Sequence, residues 1–141
     1  MNSKIIDPKV KEFFFQYEVA NSDFDVAKLA SCYADVFMFG GAQGVQAVKK
    51  EDFIRVLPRR KEFFKSAGLK SAKAERIDST ELDANYVLAK VFWRMCVEQS
   101  GGTSREIETS ATYLLLSSGA FFQIVFQIDH QDLAKKLREP A

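Results

Sequence analysis

Carboxylates, tyrosines and one histidine are the side chains of this 141-residue chain that suit acid–base chemistry. Asp35 is the first candidate, because it stands between a predicted helix and an apolar strand. As a general base it would need a pKa raised by burial and a substrate within hydrogen-bond reach. A tyrosine would then act as the electrophile, and Tyr17 is a further catalytic candidate. The alternative for Asp35 is a helix-end carboxylate that accepts hydrogen bonds from nearby backbone N–H groups.

His130 is the only histidine, and it lies in the run from Asp129 to Asp132. No serine or cysteine in a recognisable nucleophile elbow accompanies it, so a hydrolytic triad has no support. Helix capping explains the run instead, with Asp129 as the N-cap of a short final helix and Asp132 reaching back to it.

Aromatic residues are the strongest positive signal, with 13 Phe, 4 Tyr and 1 Trp. Buried tyrosine and tryptophan need hydrogen-bond partners, and an apolar pocket with a few polar groups is the usual small-molecule site. We therefore predict a pocket for a small apolar ligand; the alternative is that the same side chains fill a dense core. The predicted lining is Tyr17, Tyr33, Phe39, Phe64, Trp93, Met95, Tyr113 and Phe122.

The composition limits the classes of partner that this chain could bind. Twenty Lys and Arg against nineteen Asp and Glu give a net charge of +1, which argues against nucleic acid. No apolar run approaches the roughly 20 residues of a membrane span, and no signal-peptide core is evident, so we expect a cytoplasmic protein. Cys32 and Cys96 have no zinc-binding spacing and are expected to be reduced thiols. The sequence indicates neither a metal nor an organic cofactor.

Hydrophobic periodicity predicts three helices in the first half of the chain. They span Pro8 to about Ala20, the residues after Asp23 to about Tyr33, and about Glu51 to Ala67, with a short strand over Val36 to Phe39. Asp7 is the expected N-cap of the first helix. Pro58 should kink or restart the third, because proline lacks the N–H that a helix needs. The glycine-rich residues 40–44 are predicted to be a turn.

Residues from Leu69 onward alternate between apolar and polar types, which predicts four long strands joined as an antiparallel meander. The predicted strands span 69–78, 86–98, 105–116 and 120–129. One face of the second strand is wholly apolar: Ala89, Val91, Trp93, Met95 and Val97. In the last strand the predicted apolar set is Phe122, Ile124, Phe126 and Ile128, opposite Phe121, Gln123, Val125 and Gln127. The sequence does not decide which of the two alternating sets of side chains in the strand over 105–116 faces inward.

Helices followed by a meander indicate one α+β domain over residues 1–141, with a curved antiparallel sheet wrapped on three N-terminal helices and a short C-terminal helix. The outer face of this sheet carries more apolar side chains than a solvated face usually does, which predicts a homodimer through that face. The predicted dimer face is Leu88, Phe92, Arg94, Phe121, Gln123 and Val125.

Six short stretches, taken in order, resemble the nuclear transport factor 2-like superfamily in its SnoaL-like branch. They are residues 13–17, 23–25, 31–35, 89–93, 122–126 and 129–133, and the resemblance extends from about Lys9 to Leu137. It implies a cone-shaped α+β barrel of the cystatin-like type, usually dimeric, with an internal pocket. It implies no single activity, since the superfamily includes isomerases, dehydratases, cyclases, hydrolases and binding modules.

The ketosteroid isomerases of this superfamily use an Asp base and an oxyanion hole of Tyr plus a protonated Asp. The resemblance puts the tyrosine at Phe15, the base near residues 39–40 and the second Asp near residues 109–111, and none of these positions carries the required side chain. We therefore expect a binding protein without evident catalytic machinery. The alternatives are a SnoaL-like isomerase, dehydratase or cyclase with Asp35 as base, and a non-catalytic dimerisation or interaction module.

Overall fold

The computed structural model describes residues 7–119 and 121–138, in which a curved six-stranded sheet packs against the helices. The helices are α1 (Pro8–Asp23), α2 (Val26–Ser31), α3 (Lys50–Ser66) and α4 (Leu133–Arg138). The strands are β1 (Tyr33–Gly41), β2 (Gly44–Lys49), β3 (Leu69–Glu81), β4 (Tyr86–Glu98), β5 (Ser104–Ser118) and β6 (Phe121–Asp129). The α+β class predicted from the sequence is confirmed.

The sheet has the order β2-β1-β6-β5-β4-β3. Strands β3 to β6 form the predicted antiparallel meander, and β4 begins and ends at the predicted residues. Strand β1 runs parallel to β6 and forms an antiparallel hairpin with β2, a strand that the sequence did not predict. The predicted turn over 40–44 is shorter, since Gly41 already pairs with Gly44. Ala120, the predicted first residue of the last strand, lies outside the described residues.

Two of the three predicted helices differ from the structure in their bounds. Helix α1 passes through the predicted break and ends where Phe24 adopts a left-handed conformation, with φ of 52°. Helix α2 stops at Ser31, and Tyr33 begins β1. Helix α3 lies close to its predicted bounds, and it continues through Pro58, which is on its exposed side, so the proline does not restart the helix. The predicted N-cap is confirmed, because the Asp7 side chain accepts from the Lys9 N–H at 2.8 Å.

A β-bulge interrupts β6 at Val125. Leu114 of β5 pairs with Phe126, but its neighbour Leu115 pairs with Ile124, so Val125 is an extra residue without its own partner. A bulge of one residue reverses the alternation of side chains along the strand that contains it.

This reversal contradicts the predicted faces of the last strand. Ile124, before the bulge, faces the core, whereas Phe126 and Ile128, after it, pair with residues on the outer face. Gln127 was predicted to face outward, yet it is buried opposite Tyr113. Asp129 pairs with the buried Ala111 and points to the same concave side.

The core lies between the concave face of the sheet and the helices. Val10 and Phe14 of α1 have no exposed surface and pack against the middle of the sheet, where the Phe14 ring centroid lies 4.9 Å from that of Tyr113. The Glu18 side chain also accepts a hydrogen bond from the backbone N–H of Ala74 on β3, at 2.9 Å. Among the described residues, no helix has both the length and the apolar character needed to cross a membrane.

Candidate functional site: an aromatic cavity

A cavity of about 600 Å³ opens between helices α1 and α3 and the concave face of the sheet. Seven of the eight predicted lining residues lie on its walls: Tyr17, Tyr33, Phe39, Phe64, Trp93, Met95 and Tyr113. The eighth, Phe122, does not reach the cavity. It lines a separate groove beside α1 and packs edge-to-face on Phe13, with ring centroids 6.2 Å apart.

Tyr17 is the centre of the aromatic wall. Its ring centroid lies 5.9 Å from those of Trp93 and Tyr113 and 6.2 Å from that of Tyr33. Three elements thus meet at this side chain: helix α1 supplies Tyr17, the hairpin strand β1 supplies Tyr33, and the meander supplies the other two rings. Such tilted and edge-on contacts stabilise aromatic clusters beyond the burial of their area.

The tyrosines begin a chain of buried hydrogen bonds. The hydroxyls of Tyr17 and Tyr33 are 2.8 Å apart, and the Tyr33 hydroxyl donates to Oε1 of Gln127 at 2.6 Å. Since a phenol has one hydrogen, Tyr17 is the donor to Tyr33. The Gln127 amide nitrogen in turn donates to Oδ1 of Asp129 at 3.0 Å. The whole chain of donors therefore points toward one carboxylate.

Asp129 is the chemically important side chain that the sequence prediction missed. It was predicted to cap the final helix, but the cap is Asp132, whose carboxylate accepts from the Lys135 N–H at 3.1 Å. Asp129 instead lines the cavity, and burial raises its pKa, while the hydrogen bond from Gln127 and the charges of Arg60 and His130 oppose that rise. The only sequence signal was the polar spacing of Gln127 and Asp129 in an apolar strand.

Burial also raises the pKa of the three cavity tyrosines, because a phenolate would lose its hydration there. Tyr33 and Tyr113 are shifted well above the ordinary value, and the neighbouring Tyr17 adds to both shifts. The Tyr113 hydroxyl accepts from the Trp93 indole N–H at 3.2 Å. The cavity thus combines neutral phenol donors with one carboxylate acceptor.

The two other predicted candidates lie away from this cavity. Asp35 is in β1, not at a helix end, and its side chain is 99% exposed, 3.6 Å from the Lys50 ammonium group. Water solvates such a carboxylate, so Asp35 is a surface side chain and not the buried one that the prediction required. His130 is also exposed, and its Nε2 lies 2.6 Å from the Thr112 hydroxyl.

Both cysteines are free thiols. Burial raises the pKa of Cys32 to about 11, so its thiol stays protonated and unreactive near neutral pH. Within the described ranges, no three side chains of the metal-binding types come together.

The predicted dimer face lies on the convex side of the sheet. Leu88 is 40% exposed and Phe121 is 56% exposed, while Phe92, Gln123 and Val125 are half-buried. Arg94 also lies there, in ion pairs with Glu75, Glu106 and Glu108.

Leu88 continues a row of apolar side chains across neighbouring strands. It pairs with Leu114, which pairs with Phe126, which pairs with Met38 of β1. The bulge in β6 is what adds Phe126 to this row.

Comparison with known proteins gives the fold a name. No family model matches the chain, and no curated protein matches it. Among solved structures, a nuclear transport factor 2-like protein with a cystatin-like fold from Novosphingobium aromaticivorans has a TM-score of 0.70 at 12% identity, over 94% of this chain and 88% of that one.

Two more structures have the same architecture. Aln2 from a Streptomyces species has a TM-score of 0.73 at 15% identity, over 96% of this chain and all (100%) of that one. A ketosteroid isomerase-like protein from Erwinia carotovora has a TM-score of 0.63 at 14% identity, over 86% of this chain and 92% of that one. At these identities the similarity shows the fold, which is the nuclear transport factor 2-like, cystatin-like fold that the sequence resembles.

Replacing Asp129 by Asn should raise the free energy of unfolding at pH 7. Asn still accepts the Gln127 hydrogen bond but carries no charge for burial to penalise. The pKa of Asp129 is raised in the folded chain. The wild type therefore loses stability as the pH rises from the ordinary carboxyl pKa to this raised pKa, and Asp129→Asn does not. The gain should therefore shrink below a pH of about 4, where the carboxyl is protonated in both states.

Urea unfolding between about pH 3 and pH 8, followed by Trp93 fluorescence, measures this difference. Asp132→Asn is the matched control, because it changes an exposed capping carboxylate to another good cap. Equal or lower stability of Asp129→Asn at pH 7 would contradict the assignment.

Proposed function

We propose that this chain is a SnoaL-like protein that binds a small, largely apolar molecule in the aromatic cavity. The cavity volume of about 600 Å³ falls in the range of small-molecule sites, roughly 300–1,000 Å³. The observation that carries the proposal is the combination of aromatic walls with a buried polar chain from Tyr17 to Asp129. A closely packed core would gain nothing from burying this many polar groups, whereas a ligand site uses them to orient a polar substituent.

The single tryptophan makes this binding directly measurable. Trp93 is the only tryptophan and lines the cavity, so a ligand that enters should change its fluorescence and raise the melting temperature. Screening bicyclic and tricyclic hydrocarbons that carry one oxygen should yield compounds that do both.

Ala72→Phe should weaken the binding of such compounds by at least about tenfold, because Ala72 lines the cavity and a phenyl group would occupy it. Ala47→Phe is the matched control, since Ala47 is exposed on β2 and outside the cavity. The proposal fails if no compound binds, or if the two variants bind equally.

A second candidate is acid–base catalysis on a carbonyl compound, and it rests on Asp129. A buried carboxylate with a raised pKa is suited to take a proton from carbon, while a neighbouring phenol donates a hydrogen bond to the carbonyl oxygen. One protein of similar fold is described as ketosteroid isomerase-like, which favours this chemistry over others. The base in this proposal is Asp129 and not Asp35.

Exchange of carbon-bound hydrogen in D2O tests this candidate without knowledge of the substrate. The wild type should speed deuterium incorporation next to the carbonyl of 2-tetralone, followed by NMR. Asp129→Asn should lose about a hundredfold of that acceleration, while Asp132→Asn keeps it. If the two variants exchange at the same rate, or the wild type shows no acceleration, the cavity acts by binding alone.

We further propose that the chain forms a homodimer through the convex face, in the cytoplasm. The apolar row from Leu88 to Met38 and the exposed Phe121 support this interface, because exposed apolar patches of this kind commonly mark a subunit contact. If the cavity proves not to bind ligands, this face would be the working surface of an interaction module.

Leu88→Arg should convert the dimer into a monomer, because it puts an unpaired charge at the β4 end of the apolar row, inside the proposed interface. Leu82→Arg is the control, since Leu82 is 53% exposed but lies in the turn after β3, outside the row. Light scattering at micromolar concentration measures both. A monomeric wild type would end the dimer proposal.

A further inference from the structure

The open end of the cavity has an uneven distribution of charge. Four exposed cations line it, and we call this end the mouth: Arg60, Lys61, Lys65 and Lys70. Lys70 forms an ion pair with Glu98 at 3.5 Å. Lys61 and Arg60 both lie over aromatic rings, with the Lys61 ammonium 5.0 Å from the centre of the Phe24 ring.

The acidic residues of the lining do not balance these charges. Glu18 accepts the backbone N–H of Ala74, and Asp52 pairs with Arg55 at 3.0 Å. Asp129 lies in the interior, at the end of the buried hydrogen-bond chain. Over residues 7–119 and 121–138, Arg60 forms no ion pair.

The position along α3 accounts for a positive charge at Lys65 but not for one at Arg60. Lys65 is in the last turn of α3, where a cation interacts favourably with the carbonyl end of the helix. Arg60 lies more than one turn earlier, where this effect has faded. Its guanidinium lies 5.5 Å from the centre of the Phe64 ring, another wall residue. Burial raises the pKa of Tyr17, Tyr33 and Asp129, and the positive charge of Arg60 opposes each rise, so its field extends into the cavity.

We infer that the ligand of this cavity is a small organic acid, with a compact hydrocarbon body among the aromatic side chains and a carboxylate held by Arg60 at the mouth. This inference rests on the proposed binding function and adds the chemical class of the ligand. A guanidinium binds a carboxylate through two parallel N–H···O bonds, which a lysine cannot do. The interior is unsuitable for the carboxylate, because the negative charge of Asp129 would repel it there.

Two pairs of compounds distinguish the effect of ligand charge on affinity from the effect of ligand shape. Naphthalene-2-carboxylate and anthracene-2-carboxylate have nearly the same outline as their primary amides, which are neutral. Calorimetric titration should show that the wild type binds each acid at least about tenfold more tightly than its amide, which is the lower limit for a hydrogen bond to a charged group.

Arg60→Gln should abolish that preference, so that each acid and its amide bind with the same affinity. Arg59→Gln is the matched control, because Arg59 is the adjacent exposed arginine of α3 but does not line the cavity. It should keep the full preference.

The outcomes separate the two proposals. Equal binding of acids and amides by the wild type, or a preference that survives in Arg60→Gln, overturns the organic-acid inference and leaves the binding proposal intact. A preference lost equally in Arg59→Gln also overturns it, because the effect would then be general surface charge. If neither acids nor amides bind, both proposals fail.

Discussion

The bulge at Val125 is the local feature on which the site depends. Without that extra residue, strict alternation would carry Phe126 and Ile128 into the cavity and turn Gln127 and Asp129 toward the convex face. With it, one strand supplies apolar side chains to the core in its first half and polar side chains to the cavity in its second. The same residue thus makes the site polar and the outer face apolar.

Once Gln127 and Asp129 face inward, the surrounding elements have to satisfy them. A buried amide or carboxylate without partners would cost several kcal/mol by transfer estimates, about 2–7 for an amide. The Tyr33 hydroxyl donates a hydrogen bond to the amide oxygen of Gln127, and the amide nitrogen of Gln127 donates one to the carboxylate of Asp129. Because α1, β1 and β6 each contribute to this chain, it also joins the N-terminal half of the molecule to the meander.

A cavity of this composition is compatible with both binding and acid–base chemistry, and the fold does not choose between them. The choice depends on the protonation of two kinds of group. Buried phenols remain donors, since burial raises the pKa of each cavity tyrosine. Asp129 has a raised pKa too, held back by Gln127 and Arg60. Arg60 therefore matters in two ways: its charge favours the ionised form of Asp129, and its position at the mouth selects the charge of what enters.

The sequence by itself determined the secondary structure of the meander, the α+β class and most of the aromatic wall. Period-two alternation in β4 and helical spacing in α1 are local properties, so residues such as Trp93 and Tyr17 could be assigned to the inside from their neighbours in the chain.

Only the tertiary structure decided the position of Asp129, the pairing of β1 with β6 and the exposure of Asp35. The bulge is defined by the register between two strands, and β1 meets β6 across more than 80 residues of chain (Tyr33 with Ile124). A local sequence pattern cannot predict such long-range pairings, because they form only when the sheet closes over the helices.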